Sequence, residues 1–216
     1  LSRLERSARD PVTGKHRRIP GNMTYEDWKK QVDETHGGGT WETERKKVLN
    51  RAADRRQYDK YRETLGKKNL PKTLDGFQQL KYNKSKEWED VKYYARNING
   101  RPIEYVKIDR ELAKMGITNK GRAYPVEDIE VKGWKVHAEN RMKQSGITKQ
   151  EALQIKSKAV AMMKRYPSPQ TLYNYYSDNG VLGIRAENGI VQTVIAEDRI
   201  KNDTKQIIEV MNKWLK

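Results

Sequence analysis

Imidazole is the side chain best suited to moving a proton near neutral pH, and this chain of 216 residues has three: His16, His36 and His137. His16 and His36 fall in turn-forming stretches without partners at metal-ligand spacing. His137 is followed four residues later by Arg141 within Trp134 to Ser145. That segment reads as a helix closed by Gly146, so the two side chains project from one face. A ribose 2′-OH can attack its own phosphate, so RNA cleavage needs no metal; it needs a group that takes and gives protons, and cations that hold the developing charge. His137 and Arg141 are candidates for those two roles, and the pair fits an ordinary polar helix face as well. With no cysteine in the chain there is no thiol nucleophile or thiolate metal site. Neither a metal nor another cofactor is expected.

A second set of candidates comes from the segments after this helix. Thr171 to Ser177, Val181 to Ala186 and Ile190 to Ala196 alternate with the period of strands and are joined by Asn179-Gly180 and Asn188-Gly189, a strong hairpin signal. If each Asn-Gly pair makes a two-residue loop, Asn174, Arg185 and Gln192 lie abreast on one face, and Tyr175, Ile184 and Thr193 lie abreast on the other. The first row suits phosphate binding, with Tyr176 beside it for base stacking and Lys135 as a further cation near the helix start. The second row suits the core. One bulge would reverse the assignment. Plain sheet packing is the competing reading for Tyr173, Tyr175 and Tyr176.

The elements that must position these residues make an α+β chain. Thr24 with Asp27 starts a short helix to Thr35, Gly37-Gly38-Gly39 stops it, and a longer helix runs from Thr40 to Leu65. Two more helices are expected over Thr73 to Leu80 and Lys86 to Arg96. Asn99-Gly100 marks a turn and the expected boundary between a helical, partly extended half (residues 1–100), opened by a basic arm to about Asn22, and a small domain of helices packed on an antiparallel meander (residues 101–216). In the second half, strands are expected at Ile103 to Ile108 and Asp128 to Val131. A helix capped by Thr148 and Glu151 carries the stripe Ala152, Ile155, Ala159 and Met162 toward Tyr166, and a last amphipathic helix presents Ile200, Ile207, Met211 and Trp214.

Composition fits such an arrangement. Leu, Ile, Val and Phe total 40 of 216 residues, 26 of them after residue 100, so the second half is the better place for a core. No stretch approaches the roughly 18 apolar residues needed to cross a bilayer. Lys and Arg number 45 against 29 Asp and Glu, a net charge of +16, with the excess at both ends of the chain. Such a balance points to a polyanionic partner, RNA or DNA, through phosphate contacts. Near Lys46-Lys47 and Arg55-Arg56 the interleaved acids make a solvated helix face the default reading, with DNA or RNA contact as the alternative.

Two resemblances add to this reading. Tyr58-Asp59-Lys60-Tyr61-Arg62-Glu63-Thr64-Leu65-Gly66 and Pro71-Lys72-Thr73-Leu74-Asp75-Gly76-Phe77-Gln78-Gln79-Leu80-Lys81-Tyr82-Asn83, with Met23 to Trp28 upstream, resemble the C-terminal part of tailed-phage minor head proteins of the Mu F-type head-morphogenesis family, over roughly residues 10–96. The resemblance implies a virion protein of the head interior or portal region, with portal or capsid proteins as partners, ejected in some cases into the host cytoplasm. The run His137 to Thr148, with Gly189 to Val194, is similar to small domains of the barnase, EndoU, colicin and RelE-like nuclease fold, which occur as toxins and at the ends of phage head proteins. That similarity implies a ribonuclease-like activity, an immunity partner, and Thr193 as a site residue. Relatives usually carry a second arginine just before the glycine, where this chain has Gln144-Ser145. The competing expectation is a non-catalytic virion component that binds portal, capsid or genome DNA.

Overall fold

Side-chain caps set the helix starts in the first half of the chain. In α1 (Tyr25–His36) the Thr24 hydroxyl accepts from the Asp27 N–H and the Asp27 carboxylate accepts from the Thr24 N–H, a complete capping box. Gly37 then takes φ 106, open to glycine and strained for other residues, and ends the helix. Helix α2 (Thr40–Leu65) is followed by a 3-10 turn (Lys67–Asn69) and by α3 (Leu74–Tyr82), whose Thr73 cap accepts from the Gly76 N–H. The computed structural model describes residues 24–83, 85–165 and 171–216, so the expected basic arm lies outside the described residues.

With few aliphatic residues available, these helices pack through rings. Trp28 meets Trp41 edge-on at 6.3 Å, and Tyr58 and Tyr61 flank Phe77 at 5.2 and 6.1 Å. Asp54 on α2 is 1% exposed and accepts hydrogen bonds from Gln78, Lys81 and Tyr82 of α3. Burial pushes its carboxyl up, and the three donors more than offset this, so it ionises below its ordinary value.

The chain divides between Lys84 and Ser85, earlier than the expected boundary. Asn99-Gly100 is indeed a turn, with φ 42 and φ 74, but it joins α4 (Lys86–Asn97) to α5 (Ile103–Lys114) within the second unit. Asp90 of α4 receives Arg110 and Lys114 of α5. Buried Arg101 ties the turn to Asp109, to the Asn97 carbonyl and to the Ala123 carbonyl. Ile103 to Ile108 is thus the start of a helix and not a strand: Ile108 and Leu112, one turn apart, pack against the sheet, and Ile103 and Val106 are buried on another side of the helix.

A six-stranded sheet follows: β1 (Arg122–Tyr124), β2 (Gly133–Trp134), β3 (Ala161–Arg165), β4 (Leu172–Ser177), β5 (Gly180–Arg185) and β6 (Ile190–Ala196), in the spatial order β1-β3-β4-β5-β6-β2. All neighbours are antiparallel except β2 with β6. Helices α6 (Val136–Ser145) and α7 (Lys149–Ser157) precede β3, and α8 (Asn202–Leu215) closes the chain. The class is α+β, with the meander as expected. Two further local expectations fail. The helix capped by Thr148 ends at Ser157, and Met162 lies in β3. Residues Asp128 to Val131 form no strand; short strands stand at Arg122–Tyr124 and Gly133–Trp134 instead.

Helices cover both faces of this sheet. On one, Met162, Tyr175, Leu182, Ile184, Val191 and Val194 pack with Ala138 and Met142 of α6 and Ala152 and Ile155 of α7. Residues 125–131 strap the same face: the Tyr175 hydroxyl donates to the Glu127 carbonyl and accepts from the Ile129 N–H, while Lys164 pairs with Glu127 and Lys156 with Asp128. On the other face Ala123, Ala161, Met163, Tyr176 and Val181 pack under α5 and α8 through Ile108, Leu112, Ile207 and Met211.

Candidate nucleic-acid interface

Strand register decides which candidates share a face. Asn174 stands opposite Gly183, and Gly183 opposite Thr193. Gln192 is an extra residue, because Gly183 and Ile184 pair with Thr193 and Val191. This bulge changes only the β6 part of the expected rows: Thr193 belongs with Asn174, while Asn174 and Arg185 share one face and Tyr175 and Ile184 the other, as expected. Neither Asn-Gly pair is itself a two-residue loop. Ser177 pairs with Gly180 around Asp178-Asn179, and in the second turn the Gly189 N–H donates to the Arg185 carbonyl.

The row Asn174, Gly183, Thr193 lies two residues along from Tyr176, Val181, Ile195, and so on the face that carries α5 and α8. Arg185, opposite Leu172, is one row further on the same face. Gly183 has a specific use there. A Cβ on it would lie 2.6 Å from Asn174 Oδ1 and 2.9 Å from the Thr193 methyl, so its missing side chain lets the two neighbours lean together over the strand.

Helix α6 runs alongside β6 in the same direction. It begins where the Lys135 N–H donates to the Val191 carbonyl, and near its end Ser145 shares a cavity wall with Ile195. Ala138 and Met142 face the core, which leaves His137, Arg141 and Gln144 on an adjoining, exposed stripe. Arg141 and Gln144 line a cavity of about 260 Å³ with Thr193. Its remaining charged walls come from segments no motif had singled out: Lys120 before β1, and Arg199, Lys201 and Asp203 at the approach to α8. Four cations thus face one carboxylate. Lys120 lies 3.5 Å from Asp203; among the described residues Arg141 and Lys201 have no ion-pair partner. Burial pushes the Asp203 carboxyl up, but the Thr204 N–H and Lys120 hold it below its ordinary value, so it is ionised. The start of α8 has no side-chain cap at Lys201 and adds the positive end of its dipole.

The sequence candidates separate accordingly. Arg141 and Thr193 line the cavity, Asn174 adjoins Thr193 across Gly183, Arg185 is half-buried on the next row, and His137 is exposed one helical turn before Arg141. Three others stand apart. Tyr176 does not stand beside the row for stacking: it is 4% exposed beneath α5 and α8, and burial pushes its phenol far above the ordinary range. The Gln192 amide is turned back onto the Ile190 carbonyl within the bulge. Lys135 is exposed at the α6 start and outside the cavity.

A larger cavity of about 660 Å³ shares Ser145 with the basic one, but its charged walls are Glu151, Glu197 and Asp198, which repel phosphate. Among the described residues no group of three or more His, Cys, Asp or Glu side chains could hold a metal ion, and no helix is long and apolar enough to cross a membrane. No protein-family model, curated protein or solved structure matches the chain.

Proposed function

We propose that the unit Ser85–Lys216 is a metal-independent ribonuclease domain, carried on a phage minor head protein whose helical segment serves the virion near its portal. The observation that carries the enzymatic part is that Arg141 and Thr193 line one basic cavity, with Asn174 and Arg185 on the same sheet face as Thr193 and exposed His137 one helical turn before Arg141. A phosphodiester in this groove meets guanidinium groups from α6 and β5. The His137 imidazole takes the 2′-OH proton as that oxygen bonds to phosphorus; the bond from phosphorus to the 5′-oxygen breaks, the leaving oxygen takes a proton from water, and the imidazolium returns its proton to the hydroxide so formed. Arg141 and Arg185 hold the charge that grows on the phosphoryl oxygens, and the Thr193 hydroxyl donates to one of them. RNA is the substrate because the nucleophile is the substrate's own 2′-OH. An immunity partner and delivery into a host cell follow from the same reading.

The test is incubation of the full chain with tRNA and total RNA in EDTA. Cleavage is expected; intact RNA at high protein concentration overturns the enzymatic reading. His137→Ala is expected to fold normally and lose about 10²–10⁴-fold in cleavage rate, and a fully active variant overturns the assignment of His137. A second reading is favoured by the exposed Lys46, Lys47, Arg55 and Arg56 along α2: a non-catalytic virion component that holds genome DNA. Intact RNA together with salt-dependent DNA binding selects it.

A further inference from the structure

We infer that Lys120, Arg199 and Lys201 form a second phosphate subsite, which holds the backbone phosphate next to the one being cleaved, so that the substrate is a single strand engaged through at least two phosphates. The inference rests on the ribonuclease reading for its choice of RNA. One phosphodiester carries one negative charge, and Arg141 with Arg185 already supplies two cations to the reacting one. Lys120, Arg199 and Lys201 bring three more to the cavity that Arg141 lines, against the single carboxylate of Asp203 there.

Their partners leave them capacity. Lys120 reaches Asp203 at 3.5 Å, and Arg199 reaches Asp198 at 3.7 Å, both longer than a charge-assisted hydrogen bond of about 2.7–2.9 Å. Lys201 has no ion pair among the described residues. The Lys120 and Asp203 side chains are 34% and 43% exposed, so an incoming anion meets them in a setting less screened than open surface. Thr193 lines the cavity and also belongs to the row that leads toward Arg185, so the two phosphate positions are continuous through it. A strand passing over Thr193 places consecutive phosphates at both.

Binding of a 2′-deoxy oligonucleotide, which cannot be cleaved through a 2′-OH, is measured on the full chain by fluorescence anisotropy across a salt series. Lys120→Ala and Lys201→Ala are each expected to weaken binding about tenfold and to reduce the slope of log affinity against log salt by about 0.7, the value of one phosphate contact on a single strand. Lys201→Arg, which keeps the charge, restores the slope. In cleavage, the wild-type chain is expected to prefer a dinucleotide extended by one phosphate over the unextended one, and Lys201→Ala erases that preference. Unchanged slopes, or no preference in the wild type, overturn the subsite. If the chain cleaves RNA while the Lys201 variant matches wild type, the subsite falls and the ribonuclease reading stands. If RNA stays intact while the slope changes persist, the subsite stands and the enzymatic reading falls.

Discussion

The two faces of the sheet use similar strands to different ends. One is sealed: Leu182, Tyr175 and Met162 are fully buried under α6 and α7, and the 125–131 strap is fastened across it by Tyr175, Lys164 and Lys156. Lys164 is held there between the Tyr124 and Tyr173 rings, at 4.4 and 4.8 Å. Burial pushes its ammonium down, yet Glu127 and Tyr173 bring it above its ordinary value, so it remains a cation in its buried place. The other face is sealed by α5 and α8 over Tyr176, Val181 and Ile195 and over Ala123 and Met163. Toward β6 it turns polar at Asn174, Gly183 and Thr193, and beside Thr193 the cavity brings Lys120, Arg141, Arg199 and Lys201 to the single carboxylate of Asp203. The contrast separates a face that strands, helices and loop all cover, which is a core, from an edge where cations outnumber carboxylates beside a cavity, which is where the proposed phosphate contacts fall.

The largest expected break in this comparison is on the sealed side. Leu182→Ala empties a fully buried position and is expected to cost about 2–5 kcal/mol in urea unfolding. A loss below about 1 kcal/mol would show that this face is not the closed core described. A smaller effect, visible in activity, comes from the floor of the groove. Gly183→Ala pushes a methyl group onto Asn174 Oδ1 and the Thr193 methyl, both side-chain ends able to move aside. Stability is expected to change by less than about 1 kcal/mol, while RNA cleavage falls about 10–10²-fold as the two polar groups are displaced. Cleavage at the wild-type rate would remove the Asn174 and Thr193 pair from the site.

Much of the frame was legible because its signals are local. Thr24 and Thr148 cap helices where their spacing to Asp27 and Glu151 requires, and α2 runs from Thr40 to Leu65 as its glycine flanks indicate. The errors arose where a short window fits both periods. Ile103 to Ile108 is rich in β-branched and aromatic residues and reads as a strand until Leu112, one helical turn beyond Ile108, is included. The stripe Ala152, Ile155, Ala159 and Met162 continues in sequence past a helix that has already ended, with no glycine or proline to mark the stop. The site was legible in part for the same reason. His137 and Arg141 are neighbours on one helix, but the position of Thr193 depended on a bulge at Gln192 that has no residue signature. Lys120, Arg199 and Lys201 come together from two distant segments, a convergence created by tertiary packing and invisible to spacing.

The most direct test of the central claim is a paired measurement on Arg141→Ala, comparing melting and single-turnover RNA cleavage with the wild-type chain. Arg141 projects from α6 into the basic cavity, while Ala138 and Met142 anchor the helix on the sealed side. The variant is expected to keep its stability within about 0.5 kcal/mol and to lose about 10²–10³-fold in cleavage, the cost of removing one preorganised donor from a developing charge. Wild-type cleavage by a folded Arg141→Ala protein would contradict the assignment of this groove as the reacting site.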